Sequence, residues 1–301
     1  MKQVKFKGHR KIWSKMAEFW EKFVEPVHPS RGDIRNYHKL LAEALEGKKK
    51  TDILLLGSTP EIRDLLYKFS ILQEISVTCV DMTKDMYEAM GELMYNKNKK
   101  EKFVLNNWVD MKFNQKFDVI MGDCVNGNIG LEYKSKYYTN IQSLLKKNGC
   151  FITKDAVITA DCKIKNVESL FMKILGQTKN EELTIKQAAT YIGLRLIWAS
   201  WFRNNKKDNR VSLKFLWPEI LSLGQKLRDV NTKGDYLLMK IIYLRFIYTW
   251  RPLKNKYWTL YLKKDNVKIL SKYFKIKKTL YSKDYGNILR KTSPIFLLKK
   301  K

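Results

Sequence analysis

The stretch Ile53-Leu54-Leu55-Leu56-Gly57-Ser58-Thr59-Pro60-Glu61 decides the fold that the rest of the sequence supports. Four consecutive apolar residues suit a strand that is buried on both faces, as in a parallel sheet. The glycine that ends the run lets the backbone approach a ligand closely. A helical pattern of apolar residues follows at 61–69. The stretch therefore predicts the first strand–loop–helix unit of an α/β domain.

Further strand patterns follow, and most are separated by helical ones. The first four cover 75–80, 103–105, 117–121 and 150–153. Repeated strand–helix units predict a mostly parallel sheet with right-handed crossovers. A helix at 266–273 and strands at 274–281 and 295–298 complete it. We therefore expect a Rossmann-like, doubly wound, seven-stranded sheet.

Helical segments precede and interrupt this pattern. Their apolar spacing predicts an N-terminal helical cap, with one helix at 11–24 and a second from Asp33, as N-cap, to Leu45. Four helical patterns between the fifth and sixth strands predict an inserted substrate lid. The expected boundaries are 1–50 for the cap, 51–160 for the Rossmann-like core, 161–255 for the lid and 256–301 for the last helix and strands.

The loops after the first four strands carry the candidate binding residues, because ligands of open parallel sheets bind at the carboxyl ends of the strands. These loops contain Gly57-Ser58-Thr59, Asp81-Met82, Asn107-Trp108 and Gly122-Asp123-Cys124. Asp81 suits the two hydroxyls of a ribose, and the Asn107 carbonyl oxygen suits an exocyclic amine. Met82 and Trp108 suit the faces and edges of an aromatic base. The alternatives are a helix cap for Asp81 and core positions for Met82 and Trp108.

This set of loops resembles that of the class I S-adenosylmethionine-dependent methyltransferases. The segments that carry the resemblance are Trp20 with Pro26-Val27-His28-Pro29-Ser30-Arg31-Gly32-Asp33, then Leu54-Leu55-Leu56-Gly57-Ser58-Thr59-Pro60-Glu61, and Asn107-Trp108-Val109-Asp110. The resemblance implies S-adenosylmethionine as the cofactor. Gly57, Ser58 and Thr59 would face its methionine moiety and Asp81 would hold its ribose. Met82 would line the adenine, whose edge would meet Asn107 and Trp108.

The chain also departs from the family pattern. The first loop keeps one glycine of the usual glycine-rich motif, and Asn107 replaces the commoner Asp. A nicotinamide dinucleotide is disfavoured, because the glycines needed for a pyrophosphate are missing. Asp123 follows the fourth strand, where methyl acceptors lie in this family, and is a candidate cofactor contact and general base, with substrate anchor or turn residue as alternatives. His28 is the other candidate base, and alternatively a contact of the cofactor carboxylate or a surface residue. We expect no metal.

The acceptor is less defined by the sequence. Neither Asn-Pro-Pro-Tyr nor Asp-Pro-Pro-Tyr follows the fourth strand, so the resemblance to methyltransferases of exocyclic amines in DNA fails. Aromatic residues of the predicted lid either wall an acceptor pocket or form the core of the lid itself: Tyr191, Trp198, Trp201, Phe202, Trp217 and Trp250. We expect a small-molecule or peptide-type acceptor. The alternatives are a methyltransferase acting on RNA or another polyanion, and a catalytically inactive binding subunit.

Charge and cysteine content bear on partners and location. The net charge is +29, yet residues 51–150 carry 13 basic and 13 acidic residues, and residues 201–301 carry 26 and 6. Region 203–301 therefore suits RNA, an acidic partner or an anionic membrane surface, or is a solvated face without a partner. Four cysteines without a CxxC motif and a polar, basic start predict a reduced, cytoplasmic protein. The apolar stretch 236–250 predicts a buried or interfacial helix.

Overall fold

The computed structural model describes residues 20–97, 101–204, 209–229, 234–285 and 289–301. These residues form two compact units. The first unit runs from His28 to Thr159 and from Tyr261 to Lys301, and the second contains Ala160–Leu260 and the described residues before His28. The helix predicted over 11–24 lies mostly outside the described residues, of which Trp20–Lys22 form a short 3-10 helix.

The first unit is built on a seven-stranded sheet. Its strands are β1 (Lys50–Leu56), β2 (Glu74–Asp81), β3 (Lys102–Leu105), β4 (Phe117–Asp123), β5 (Leu145–Lys154), β10 (Phe274–Tyr281) and β11 (Pro294–Lys300). The short strands β6 (Val157–Ile158) and β9 (Tyr261–Leu262) pair with each other, as do β7 (Arg210–Val211) and β8 (Trp258–Thr259) of the second unit. The large sheet has the order β10-β11-β5-β4-β1-β2-β3. Strands β1 to β5 are parallel, and β11 is antiparallel to β5 and β10. The predicted seven-stranded, mostly parallel, Rossmann-like sheet is confirmed.

The helices alternate with the strands as the apolar pattern predicts. They are α1 (Arg31–Leu45), α2 (Pro60–Leu72), α3 (Lys84–Glu92), α4 (Lys134–Leu144), α5 (Val167–Lys179), α6 (Ile185–Arg203), α7 (Trp217–Asp229), α8 (Asp235–Trp250) and α9 (Lys263–Tyr273). Helices α1 to α4 and α9 belong to the first unit, and α5 to α8 to the second.

Strand β1 shows why a continuous apolar run is needed at the centre of this sheet. Ile53 and Leu55 belong to one hydrophobic cluster, together with residues of α1 and α2. Leu54 and Leu56 belong to a second cluster, together with residues of α4 and α9. All four side chains are fully buried. Because neighbouring side chains of a strand point to opposite faces, the run supplies both core layers.

Helix α1 begins earlier than the sequence pattern indicates. Ser30 is its N-cap, and the predicted N-cap Asp33 lies three residues further on. The Ser30 hydroxyl accepts from the Asp33 N–H at 3.0 Å, and the Asp33 carboxylate accepts from the Ser30 N–H at 3.3 Å. This reciprocal capping satisfies two backbone donors at once, which explains why Ser30 takes the cap position.

The second unit packs α5 to α8 around large aromatic side chains. Trp250 is 2% exposed, and its indole N–H donates to the Ala189 carbonyl at 3.0 Å. A Cβ atom placed on Gly193 would lie 2.0 Å from the Trp250 ring, so this close approach requires glycine. Tyr191, Trp198 and Trp201 are also buried. None of the helices in the described part of the chain is long and apolar enough to cross a membrane.

Candidate functional site

The first unit has one edge at which the parallel strands β1 to β5 end. Strand β1 pairs with β2 on one side and with β4 on the other, so the chain order reverses at β1. In open α/β sheets the crevice at such a reversal is where ligands bind. The loops after Leu56, Asp81 and Asp123 border this crevice. They include most of the candidate residues named from the sequence.

The loop after β1 approaches the end of β2 closely. Gly57 has φ +85°, a left-handed conformation that glycine adopts without strain, and its N–H donates to the Val80 carbonyl at 2.8 Å. The Ser58 hydroxyl donates to Asp81 Oδ2 at 2.6 Å. Asp81 Oδ1 accepts from the Met82 N–H at 2.7 Å. These contacts fix the Asp81 carboxylate at the crevice, beside the loop that contains Gly57.

Burial changes the chemistry of Asp81. The residue is 8% exposed, and loss of solvation raises the pKa of its carboxyl group, although the hydrogen bonds from Ser58 and Met82 oppose the rise. A carboxylate offers about four lone-pair positions, and the hydrogen bonds from Ser58, Met82 and the Thr83 backbone N–H use three of them. Asp81 therefore keeps acceptor capacity for a hydroxyl of a ligand.

The loop after β3 is held by its own side chains. Asn107 Oδ1 accepts from the Val109 N–H at 3.0 Å, and Asn106 Oδ1 accepts from the Asn107 N–H at 2.7 Å. Trp108 is 7% exposed and donates from its indole N–H to the Val80 carbonyl at 2.9 Å. It belongs to the hydrophobic core, yet its ring borders Gly57, because a Cβ atom on Gly57 would lie 3.6 Å from Trp108 Cζ2. Met82 is half-buried at the end of β2.

Asp123 lies in a buried ionic network at the ends of β4 and β5. Its Oδ1 is 3.1 Å from Lys154 Nζ, and the Tyr37 hydroxyl donates to the same oxygen at 3.1 Å. Lys154 Nζ is also 3.0 Å from Asp33 Oδ2, which accepts from the Tyr285 hydroxyl as well. The side chains of Lys154, Asp33 and Asp123 are at most 2% exposed.

The charges of this network depend on one another. Burial favours the neutral amine of Lys154, but attraction to Asp123 and Asp33 outweighs burial and raises the pKa of Lys154. Burial raises the pKa of Asp123, and Lys154 opposes that rise. Lys154 therefore carries its charge, and Asp123 is primarily its counter-ion. The role of Asp123 as a general base stays a prediction.

His28 lies next to an acid to which the sequence interpretation gave no role. His28 Nδ1 is 3.6 Å from Glu61 Oε1, and the two side chains are 20% and 29% exposed. Glu61 belongs to the first turn of α2, directly after the Gly57–Thr59 loop. Loss of solvation raises its pKa to about 7, and the negative charge of Asp123 contributes to the rise.

Three residues at this edge were missed by the sequence interpretation: Glu61, Lys154 and Tyr37. Glu61 is part of the motif that carries the family resemblance, and Lys154 is a charged residue directly after the apolar residues of β5. These two positions in the sequence could have identified Glu61 and Lys154 as candidate site residues. Tyr37 carries no such signal, because it occupies an ordinary apolar position of α1. Among the described residues, no group of three or more His, Cys, Asp or Glu is placed to hold a metal ion.

The fold defines the class of protein: a Rossmann-like domain with the strand order of class I methyltransferases. A protein-family model described as "Methyltransferase domain" matches residues 62–213, just over half of the chain. The chain belongs to this methyltransferase family, and the resemblance to the S-adenosylmethionine-dependent class is confirmed. No curated protein matches the sequence.

Solved structures share the fold at low sequence identity. A candidate zinc-dependent alcohol dehydrogenase from Rhodobacter sphaeroides is 14% identical with a TM-score of 0.55, over 97% of this chain and 98% of its own. The 1,6-didemethyltoxoflavin-N1-methyltransferase of Burkholderia thailandensis, with bound 1,6-didemethyltoxoflavin and S-adenosylhomocysteine, is 9% identical with a TM-score of 0.51. That match covers 100% of this chain and 92% of the other. These likenesses concern the fold.

The residues at the crevice fit the cofactor of the class. Only Trp108 lies within 4 Å of a Cβ atom placed on Gly57, among the described atoms outside its immediate neighbours, so the loop leaves space beside its backbone. Asp81 supplies acceptor capacity for a ligand hydroxyl next to that space. An open glycine loop and a fixed carboxylate acceptor suit an adenosyl group with an amino-acid tail.

Proposed function

We propose that this methyltransferase binds S-adenosylmethionine across the carboxyl ends of β1 to β3. Gly57, Ser58 and Thr59 face the methionine moiety, Asp81 accepts from the ribose hydroxyls, and Met82, Asn107 and Trp108 border the adenine. The observation that carries the proposal is the Ser58–Asp81 hydrogen bond of 2.6 Å, which holds an acid beside a glycine loop with φ +85°. Asp123 lies at the far side of the same crevice and is expected to contact cofactor only at its edge.

The bound sulfonium would supply an already activated methyl group, so the transfer needs mainly orientation and exclusion of water. The buried residues Ser58, Asp81 and Trp108 provide rigid walls for that purpose. A base is required only when the acceptor is protonated at working pH. Of the two proposed bases, His28 has the more accessible side chain, at 20%, against 2% for Asp123.

The acceptor proposed here is a small molecule or a peptide-type metabolite. This proposal is supported by the solved 1,6-didemethyltoxoflavin-N1-methyltransferase, which shares the fold and has 1,6-didemethyltoxoflavin bound. The substrate-lid role of residues 161–255, the cap at 1–50 and the cytoplasmic location remain predictions. The four cysteines are free, which accords with a reducing compartment.

Two other functions remain as alternatives. The first is methylation of RNA or another polyanion through region 203–301, supported by its charge of 26 basic against 6 acidic residues in 201–301. A mobility-shift titration with random RNA at two salt concentrations tests it, because binding that rests on phosphate contacts weakens steeply with salt. The second is an inactive binding subunit, which a lack of affinity for S-adenosylmethionine would favour.

Calorimetry with S-adenosylhomocysteine tests the proposed cofactor site. We expect the wild-type chain to bind, and Asp81→Ala to weaken binding by about tenfold or more, which corresponds to about 1.4 kcal/mol. Glu74→Ala is the matched control, because Glu74 is the exposed acid at the opposite end of the same strand. Unchanged affinity of a folded Asp81→Ala variant would remove Asp81 from the site.

A further inference from the structure

Glu61 lies where the cofactor's amino-acid moiety is expected under the proposed function. It follows the Gly57–Thr59 loop and belongs to the first turn of α2, so it borders the crevice at the end of β1. The charges of Asp123 and Lys154, at the ends of β4 and β5, both act on the pKa of its carboxyl group. Glu61 therefore lies within electrostatic range of both charges.

The two carboxylate oxygens of Glu61 have different surroundings. Oε1 lies 3.6 Å from His28 Nδ1. Oε2 is buried and has no hydrogen-bond partner among the described residues. A buried acceptor without a donor costs free energy, and the cost is larger for a charged group. Although the backbone N–H of Glu61 also favours the ionised carboxylate, Oε2 is left without a donor among the described residues.

The charges around Glu61 leave a cation missing. Asp33, Asp123 and Glu61 are three carboxylates, and the cationic groups beside them are Lys154 and, when it is protonated, His28. Lys154 Nζ is already bound to Asp33 at 3.0 Å and to Asp123 at 3.1 Å. Asp33 Oδ1 also lacks a hydrogen-bond partner among the described residues, and Asp33 is fully buried. A ligand with a positively charged donor would relieve this imbalance.

We propose that Glu61 binds the α-ammonium group of the cofactor's amino-acid moiety through Oε2, with His28 holding Oε1 in place. The inference rests on the proposed function and adds a cofactor-binding residue to it. An ammonium group has three donors and a full charge, so it satisfies an orphaned carboxylate oxygen through a charge-assisted hydrogen bond. Ribose and adenine carry no such cation.

The test compares S-adenosylhomocysteine with its analogue that lacks the α-amino group, by calorimetry. In the wild-type chain we expect the complete ligand to bind about tenfold more tightly or better. In Glu61→Gln, affinity for the complete ligand falls by about tenfold, and affinity for the analogue is unchanged. Glu74→Gln, the same chemical change at an exposed site, leaves both affinities unchanged.

The outcomes separate this inference from the function on which it rests. Absence of any S-adenosylhomocysteine binding by the wild-type chain overturns the proposed function. If the wild-type chain binds and Asp81→Ala weakens binding, but Glu61→Gln keeps the preference for the amino group, the cofactor site stands and the Glu61 assignment fails. Equal wild-type affinity for the two ligands also overturns the assignment, and this arm needs no variant.

Discussion

Asp81 and Asp123 each end a parallel strand at the same edge of the sheet, and the two residues behave differently. Both are buried, and burial raises the pKa of both carboxyl groups. Asp81 is held by neutral donors, the Ser58 hydroxyl and the Met82 N–H. Asp123 is held by the ammonium of Lys154 and the hydroxyl of Tyr37. The nature of the donors decides which acid stays available to a ligand.

The comparison shows that acids at equivalent strand ends can differ in their capacity to bind a ligand. A carboxylate that accepts from neutral donors keeps lone pairs and net charge for a ligand. A carboxylate that is paired with a buried ammonium is not available to a ligand, because separation of the pair would leave two uncompensated buried charges. We therefore expect Asp81, on the β2 side of the crevice, to contact a ligand and the ionic network on the β4 side to act mainly in stability.

The largest expected change in the free energy of unfolding comes from removing the cation of the ionic network, Lys154. Lys154→Met leaves Asp33 and Asp123 buried without their counter-ion, and we expect a loss of about 3–5 kcal/mol in the free energy of unfolding. Urea denaturation followed by circular dichroism measures it. Lys50→Met is the control, because Lys50 and Glu74 form an exposed pair, and we expect no measurable change. A loss below about 1 kcal/mol for Lys154→Met would show that the network is not a stabilising unit.

A smaller effect is expected from neutralising Asp123 itself. Asp123→Asn keeps the side-chain shape and leaves Lys154 with Asp33, so we expect a loss of about 1–3 kcal/mol in unfolding free energy. Affinity for S-adenosylhomocysteine should fall less than in Asp81→Ala. The reverse result, a stable Asp123→Asn variant with strongly reduced affinity, would place Asp123 among the ligand-binding residues and contradict the comparison.

The fold, and the position of Gly57 and Asp81 at one edge of the sheet, could be predicted from sequence because their signals are local. The apolar run Ile53–Leu56 predicts a strand buried on both faces, and the structure places its side chains in two opposite core layers. Gly57 and Asp81 follow directly after apolar runs. Since parallel strands share one carboxyl edge, this position alone indicates that the two residues meet.

The ionic network could not be predicted, because its contacts join distant parts of the chain. Lys154 reaches Asp33 across 121 positions, and Tyr285 reaches Asp33 across 252. The role of Asp33 also differs from its predicted one, since Ser30 is the N-cap of α1 and the Asp33 carboxylate both accepts from the Ser30 N–H and pairs with Lys154. The conformation of loop residues such as Asn107 depends on hydrogen bonds between side chains and backbone, which the sequence alone does not reveal.

The smallest expected effect has the opposite sign and depends on pH. Burial raises the pKa of Glu61 from 4.5 to about 7, so between these values the folded chain binds more protons than the unfolded chain. The free energy of unfolding therefore falls as pH rises through this window, and ionised Glu61 destabilises the fold above it. The backbone N–H of Glu61 and the charge of Lys154 oppose the rise in pKa, Asp123 and Asp64 add to it, and His28 contacts the carboxylate.

Glu61→Gln removes this titration. The variant should match the wild-type chain near pH 4 and exceed it by about 1–2 kcal/mol near pH 8, after allowance for solvent screening of the partly exposed group. Urea denaturation at a series of pH values measures the difference. Saturating S-adenosylhomocysteine should reduce the variant's advantage at pH 8, because an ammonium group at Oε2 stabilises the ionised acid of the wild-type chain only. A pH-independent difference would show that Glu61 already has its counter-charge within the folded chain.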